Sequence, residues 1–182
     1  MDLRDRRRVQ AGLIAAIFVV PVIVALVLTM GGWVPNGRSY GQPIRPERDL
    51  TTMPVHLADH RPFAFGNHDA VWTLVALPGP DCAERCLRQL DLVHRAQITL
   101  GRHAGKLRLV YLGTPPGGAA AQGFAEVWML ASTSSHILDD LRATARDSVS
   151  AVLVTPDGEA LTRYAANFDA EGLRKDLEKV VH

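Results

Sequence analysis

Cys82 and Cys86 are the two cysteines of the chain, and they stand four apart in Pro80-Asp81-Cys82-Ala83-Glu84-Arg85-Cys86. On a helix, positions i and i+4 share a face, so the two sulfurs converge either on a soft metal ion or on each other as a reducible disulfide. The first turn of a helix carries unpaired N–H groups and the positive end of the helix dipole, both of which favour a thiolate, and Arg85 adds a positive charge nearby. The alternative is a permanent disulfide or two packed thiols. A loop this short stabilises less than a long-range crosslink, so stability alone is a poor reason for the pair. Redox or metal chemistry is the expectation.

The elements around the pair fit that placement. Val71 to Leu77 is a short apolar run rich in β-formers, closed by Pro78-Gly79-Pro80, and reads as a buried central strand. A helix is predicted from Asp81, its cap, to about Arg102, with Leu87, Leu90, Leu92, Val93, Ala96 and Ile98 as its apolar positions. Leu107 to Gly113 is the next strand, which makes a parallel, right-handed β-α-β unit. Trp128 to Ala131 is a weaker strand. Ser134 or Ser135 caps a predicted helix to about Ala145, with Ile137, Leu138 and Leu141 facing inward. Ser150 to Thr155 and Glu159 to Tyr164 flank Pro156-Asp157-Gly158 and read as a hairpin. A last helix runs from Ala170 to Val181 behind Asp169. The order β-α-β-α-β-β-α, together with the cysteines, predicts an α/β thioredoxin-like fold with a central mixed sheet flanked by helices.

Upstream, Ala11 to Met30 is a run of 20 residues without a charge. As a helix it is about 30 Å long, enough to cross a bilayer. It ends in Gly31-Gly32-Trp33-Val34-Pro35 without a small-x-small cleavage pattern, and so predicts a retained anchor rather than a signal peptide. Arg4, Arg6, Arg7 and Arg8 precede it, and the positive-inside rule puts the N-terminus in the cytoplasm. The expected organisation is a cytoplasmic basic N-terminus (1–9), a transmembrane anchor (10–33), a Pro/Gly-rich linker (34–54) and the thioredoxin-like domain (55–182). In a Gram-negative cell the domain then lies in the periplasm, tethered to the inner membrane, where paired cysteines are oxidised. The net charge of +1 and the even mixture of signs downstream exclude a nucleic-acid-binding patch.

Ser150-Ala151-Val152-Leu153-Val154-Thr155-Pro156-Asp157-Gly158, together with the Cys-x-x-x-Cys after a strand, resembles the Sco/SenC family. The resemblance spans roughly Val55 to the C-terminus. It implies a membrane-anchored thioredoxin-fold protein that assists copper-site assembly in cytochrome c oxidase, with an oxidase subunit or another assembly factor as partner and copper held by Cys82 and Cys86. This chain has Ala83 and Leu87 where the family has Pro after each Cys. The family's copper-binding His, nine residues before the Pro of the Pro-Asp-Gly turn, corresponds to Asp147. A carboxylate is a hard donor that suits Cu(II) better than Cu(I). His136, at the start of the predicted second helix, is the other candidate to reach the cysteine end, whereas His94 lies about 12 Å of helical rise beyond Cys86.

Three functions are compatible with these residues. The first is a Sco-like assembly factor that delivers copper or keeps a target's copper-binding thiols reduced. The second is a periplasmic thiol-disulfide oxidoreductase, which the three-residue Cys spacing and the lack of Pro at Ser148 to Ser150 speak against. The third is a tethered interaction module with a structural disulfide. No Ser-His-Asp arrangement, phosphate-binding Gly loop or paired-carboxylate site can be placed.

Overall fold

The structure, a computed structural model, describes residues 18–21, 23, 39–66, 70–117 and 123–181. The chain forms two compact units, residues 1–38 and residues 39–182. In the first, residues 18–21 and 23 are helical. Among the described residues no helix is long and apolar enough to cross a membrane. The predicted anchor, 10–33, lies otherwise outside the described residues, as do the basic N-terminus and the first part of the linker.

The second unit is built on one eight-stranded sheet with the order β1-β8-β7-β4-β5-β6-β2-β3. Its elements, along the chain, are β1 (Gln42–Asp49), β2 (Val55–Leu57), β3 (Pro62–Phe63), β4 (Trp72–Pro78), α1 (Glu84–Thr99), β5 (Leu107–Leu112), α2 (Phe124–Val127), β6 (Met129–Thr133), β7 (Val149–Val154), β8 (Glu159–Tyr164) and α3 (Ala170–Val180). Strand β4 pairs in parallel with β5, Trp72 opposite Leu107 through Ala76 opposite Tyr111, and antiparallel with β7. Every β4 residue after Trp72 is buried, because both faces of this central strand are covered, and a continuous apolar run is the form such a strand takes.

Alternate residues of the same strands feed two cores. Leu74, Ala76, Leu109, Tyr111, Ala151 and Leu153 face α1 and α3, meeting Cys86, Leu90, Val93, Leu173 and Leu177. Val75, Leu77, Val110, Leu112, Val152 and Val154 face the other way, against Leu50, Phe65, Leu138 and Leu141. Burying each large apolar side chain contributes roughly 1.5–3 kcal/mol. Two residues expected on the inner face of α1, Leu92 and Ile98, are instead exposed. The helix also stops at Thr99, and a 3-10 turn over Gly101–Lys106 leads into β5.

Three features differ from the sequence reading. Gln42–Asp49, expected within the spacer, is an edge strand paired with β8. Its prolines, Pro43 and Pro46, disguise it in the sequence, yet an edge strand tolerates them because one row of its N–H groups needs no ladder partner. The chain is tied to the domain earlier still: the Asp176 carboxylate of α3 accepts hydrogen bonds from Ser39 Oγ (3.1 Å), Tyr40 N (2.7 Å), Gly41 N (3.1 Å) and Tyr164 Oη (3.3 Å). The third difference is the predicted helix from Ser134 to Ala145. Only a single 3-10 turn forms, Asp139–Leu141. Tertiary bonds hold this segment instead: Arg48 donates to Ile137 O and to the Asp140 carboxylate, and the buried Ser150 hydroxyl donates to Leu141 O at 2.7 Å. Leu138 and Leu141 are buried as expected, whereas Ile137 is exposed.

Candidate functional site

The carboxyl ends of β4 and β5 open into a cleft of about 470 Å³, bordered by the Pro78-Gly79-Pro80 turn, Asp81, Cys82, Tyr111, the loop from Gly113 to Gly117, and Arg142. In open sheets with parallel strands, this is the end at which ligands are bound. The Pro-Gly-Pro turn ends β4, because Pro cannot extend the ladder, and swings the chain into α1. Gly79 permits the turn to press against the 143–148 loop. Its N–H donates to Ser148 O at 2.9 Å, and a side chain there would collide with the carbonyl of Ala145.

Cys82 and Cys86 are joined by a disulfide, with their Cα atoms 5.1 Å apart. The two sulfurs differ in environment. Cys86 is 1% exposed and packs in the core between α1 and the sheet, whereas Cys82 is only partly buried and lines the cleft. An incoming thiolate therefore has access to Cys82, and Cys86 is the sulfur that leaves.

Asp147 sits directly beside the pair. One carboxylate oxygen accepts from Ala83 N (2.9 Å) and Cys86 N (3.0 Å), and the other accepts from Arg85 N (3.0 Å) and Arg85 Nε (3.4 Å). The bond from the Cys86 N–H, assisted by those from Arg85 and Ala83, pulls its pKa down from 3.8 to about 2. Asp147 thus does what the sequence assigned to Asp81. The first residue of α1 follows Ala83, which offers no side-chain cap, and the helix is capped from across the fold instead. Asp81 serves one step removed: its carboxylate accepts from Asp147 N at 3.0 Å. This holds Asp147 in the left-handed backbone region, with φ at 50°, which aspartate tolerates better than most residues.

The electrostatic consequence reverses part of the sequence argument. Three of the N–H groups expected to favour a thiolate are already bonded to a carboxylate, and the Arg85 guanidinium contacts the same carboxylate. An ionised Asp147 next to Cys86 disfavours a second negative charge there. The same bonds bear on copper. The donor set at this end is two soft sulfurs and one hard carboxylate already taken up by backbone N–H groups, a set that does not fit a three-ligand Cu(I) site. Among the described residues no group of three or more His, Cys, Asp or Glu side chains is arranged to hold a metal ion. His136 stands apart, exposed on the 134–148 loop with its Nδ1 2.6 Å from Asp139.

Arg142 and Tyr111 were not singled out by the sequence. Arg142 donates through Nη1 to Leu112 O (2.9 Å) and Pro78 O (3.3 Å), so it bridges the ends of β5 and β4 at the floor of the cleft. Burial raises the Tyr111 phenol to about 12, against the opposing pull of the Arg142 charge, and its hydroxyl donates to Thr114 O. No sequence signal marks either residue, because Arg142 reaches the site only through the irregular loop.

Comparison with known proteins agrees with this architecture. Residues 72–182 match the family described as transmembrane-like, thioredoxin-like, C-terminal domain. A search of curated proteins gave no match. Among solved structures the chain is similar to BsSco, a member of the Sco family of cytochrome c oxidase assembly proteins, at 15% identity and a TM-score of 0.53 over 78% of this chain and 96% of that one. It is also similar to Arabidopsis thaliana ScoI with copper bound (14%, 0.52, 78% and 98%). A third is the Xanthomonas campestris bacterioferritin comigratory protein, whose alkyl peroxide reduction activity has been studied (11%, 0.52, 78% and 97%). At these identities the likeness establishes the thioredoxin-like fold. With the family match extending from β4 to the last residue of the chain, the protein belongs to the transmembrane-like, thioredoxin-like C-terminal-domain family.

Proposed function

We propose that this protein is a membrane-tethered dithiol–disulfide protein, Sco-like in role, which acts on the copper-binding thiols of a cytochrome c oxidase subunit or of another assembly factor. The observation that carries the reading is the asymmetric Cys82–Cys86 disulfide at the mouth of a cleft, one sulfur accessible and the other in the core. Reduced, the pair attacks a disulfide in the target through the Cys82 thiolate. The mixed disulfide forms, Cys86 attacks Cys82, and the target leaves with both thiols reduced. The Asp147 carboxylate favours this direction, because it makes the reduced thiolate pair less comfortable than the neutral disulfide. The Sco-family neighbours supply the context of oxidase assembly, and the exposed apolar side chains Phe18, Val19, Val20 and Ile23 are in keeping with a lipid-embedded segment in residues 10–33. On this reading the domain works on the periplasmic side of the inner membrane.

A second reading is copper delivery, with Cu(I) held transiently as cargo between the two reduced thiols alone. It is favoured by the i, i+4 placement of the cysteines and by a copper-bound neighbour of the same fold. Titration of the reduced full chain with Cu(I) against a competing chelator, beside the Cys82→Ser/Cys86→Ser variant, separates the two. Stoichiometric copper lost in the variant supports delivery. Absence of copper binding, with a readily reduced disulfide, supports thiol reduction.

A further inference from the structure

Arg142 is a part-buried guanidinium with no carboxylate partner among the described residues, where it donates through Nη1 to the carbonyls of Pro78 and Leu112. It lines the same cleft as the accessible sulfur of Cys82. The other charge on the cleft, Asp81, is engaged by Asp147 N at 3.0 Å and by Arg146 at 3.6 Å. Arg142 is thus a fixed positive charge, anchored at the cleft floor by two neutral carbonyls that cannot cancel it. A guanidinium held in this way, with N–H donors to spare among the described residues, matches a carboxylate in both charge and geometry. The cleft volume, about 470 Å³, lies in the range of small-molecule sites.

We infer that the cleft accepts a thiol that carries its own carboxylate, seated on Arg142 so that its sulfur is presented to Cys82. This rests on the reading of Cys82–Cys86 as an exchangeable disulfide. In the step, the ligand thiolate attacks Cys82 Sγ, the S–S bond to Cys86 breaks, and Cys86 leaves as a thiolate that takes a proton from water. A second molecule of the same thiol attacks the mixed disulfide and releases the symmetric disulfide with the protein in its dithiol form. Two thiols are oxidised and one protein disulfide is reduced. The source of the carboxylate, a small thiol or a cysteine peptide with an acidic neighbour, is left to the arms of the test.

The experiment measures the rate of disulfide reduction in the full chain by three small thiols matched in size and differing in charge. These are 3-mercaptopropionate, 2-mercaptoethanol and cysteamine, with rates expressed per thiolate. Glutathione and a short Asp-Cys peptide form two further arms. The anionic thiol is expected to react about tenfold faster than the neutral one, the effect of one charge-assisted contact. Cysteamine is expected to be slowest, and high salt compresses the series. Arg142→Gln, which keeps an N–H donor for the two carbonyls, should abolish the preference, read as the ratio of the 3-mercaptopropionate rate to the mercaptoethanol rate within each protein. Equal rates for all three charges in the wild-type protein overturn the inference yet leave the exchangeable disulfide intact. A disulfide that none of the thiols reduces overturns both. If Arg142→Gln does not fold, the wild-type charge series and its salt dependence decide alone. Faster reaction of glutathione than of the peptide assigns the cleft to a small thiol, and the reverse order to an acidic cysteine segment.

Discussion

Reducing the Cys82–Cys86 bond should cost the fold little, and the size of that cost separates an exchangeable site from a structural staple. The bond spans a sequence separation of four. In the chain-entropy treatment, closing a loop of about five residues removes roughly 7 cal/mol/K from the unfolded ensemble, or about 2 kcal/mol at 25 °C. That figure serves as a ceiling, because the folded segment is held independently and loses no further contacts on reduction. Leu87 N donates to Ala83 O in the first helical turn, and Asp147 ties down the N–H groups of Ala83, Arg85 and Cys86 whether or not the sulfurs are joined. For a domain of about 150 residues each kcal/mol moves the melting temperature by about 2–4 °C, so reduction should lower it by at most about 8 °C. Thermal unfolding of the full chain in mild detergent, followed by circular dichroism with and without a phosphine reductant, measures the shift. Cys82→Ala/Cys86→Ala in the absence of reductant should melt below the reduced protein only by the small cavity left at the buried Cys86. A loss of more than about 15 °C, well beyond the entropic ceiling, would refute the reasoning and mark the bond as structural.

Other perturbations have equally definite outcomes. Asp147 has a folded pKa of about 2 against 3.8 in the free residue, so its contribution is fully present above pH 4 and is lost as the pH falls through 2. Asp147→Asn should remove that acid-sensitive step, seen as amide-exchange protection at the start of α1 that no longer changes across this window. Asp176→Ala strips a buried acceptor from Ser39, Tyr40, Gly41 and Tyr164. Leaving the buried donors of Gly41 and Tyr164 unpaired should cost about 3–5 kcal/mol in a denaturant titration, with exchange protection lost first in β1. Although burial opposes ionisation of Asp176, the bonds from Gly41, Lys179, Tyr40 and Ser39 hold its carboxyl below the ordinary range, so this stabilisation also fades as the solution is acidified. Gly79→Ala should push the Pro-Gly-Pro turn off the Ala145 carbonyl. The expected result is slower thiol exchange at Cys82 with the far-UV spectrum retained.

The parts of this fold that were legible in the sequence are those where local pattern and tertiary role coincide. β4, β5, the β7–β8 hairpin around Pro156-Asp157-Gly158, and α3 with its Asp169 cap all follow from periodicity and turn chemistry, and Asp169 does accept from the N–H groups of Glu171 and Gly172. What was not legible lies in chain that long-range contacts shape. β1 is hidden by prolines that only an edge position permits. The 134–148 loop has the i, i+3, i+4 apolar spacing of a helix, but its carbonyls bond to Arg48 and Ser150 instead. That loop delivers Arg142 and Asp147 to the cysteines, so the chemical character of the site was the least accessible part of it. Counting back from Pro156 placed Asp147 at the ligand position of the resemblance, and in the structure its carboxylate lies at the first turn of α1, spent on backbone N–H groups. His136 lies on the exposed side of the same loop, paired with Asp139.

The central claim, that Cys82 and Cys86 form a working dithiol–disulfide couple, is tested most directly by the midpoint potential of the pair in the full chain. It is measured by equilibrating the protein in thiol–disulfide buffers and counting alkylated cysteines by mass. The account predicts reversible two-electron behaviour with a midpoint above about −300 mV, within reach of biological thiols. A pair that stays oxidised well below that value, or that cannot be reoxidised after reduction, would contradict it.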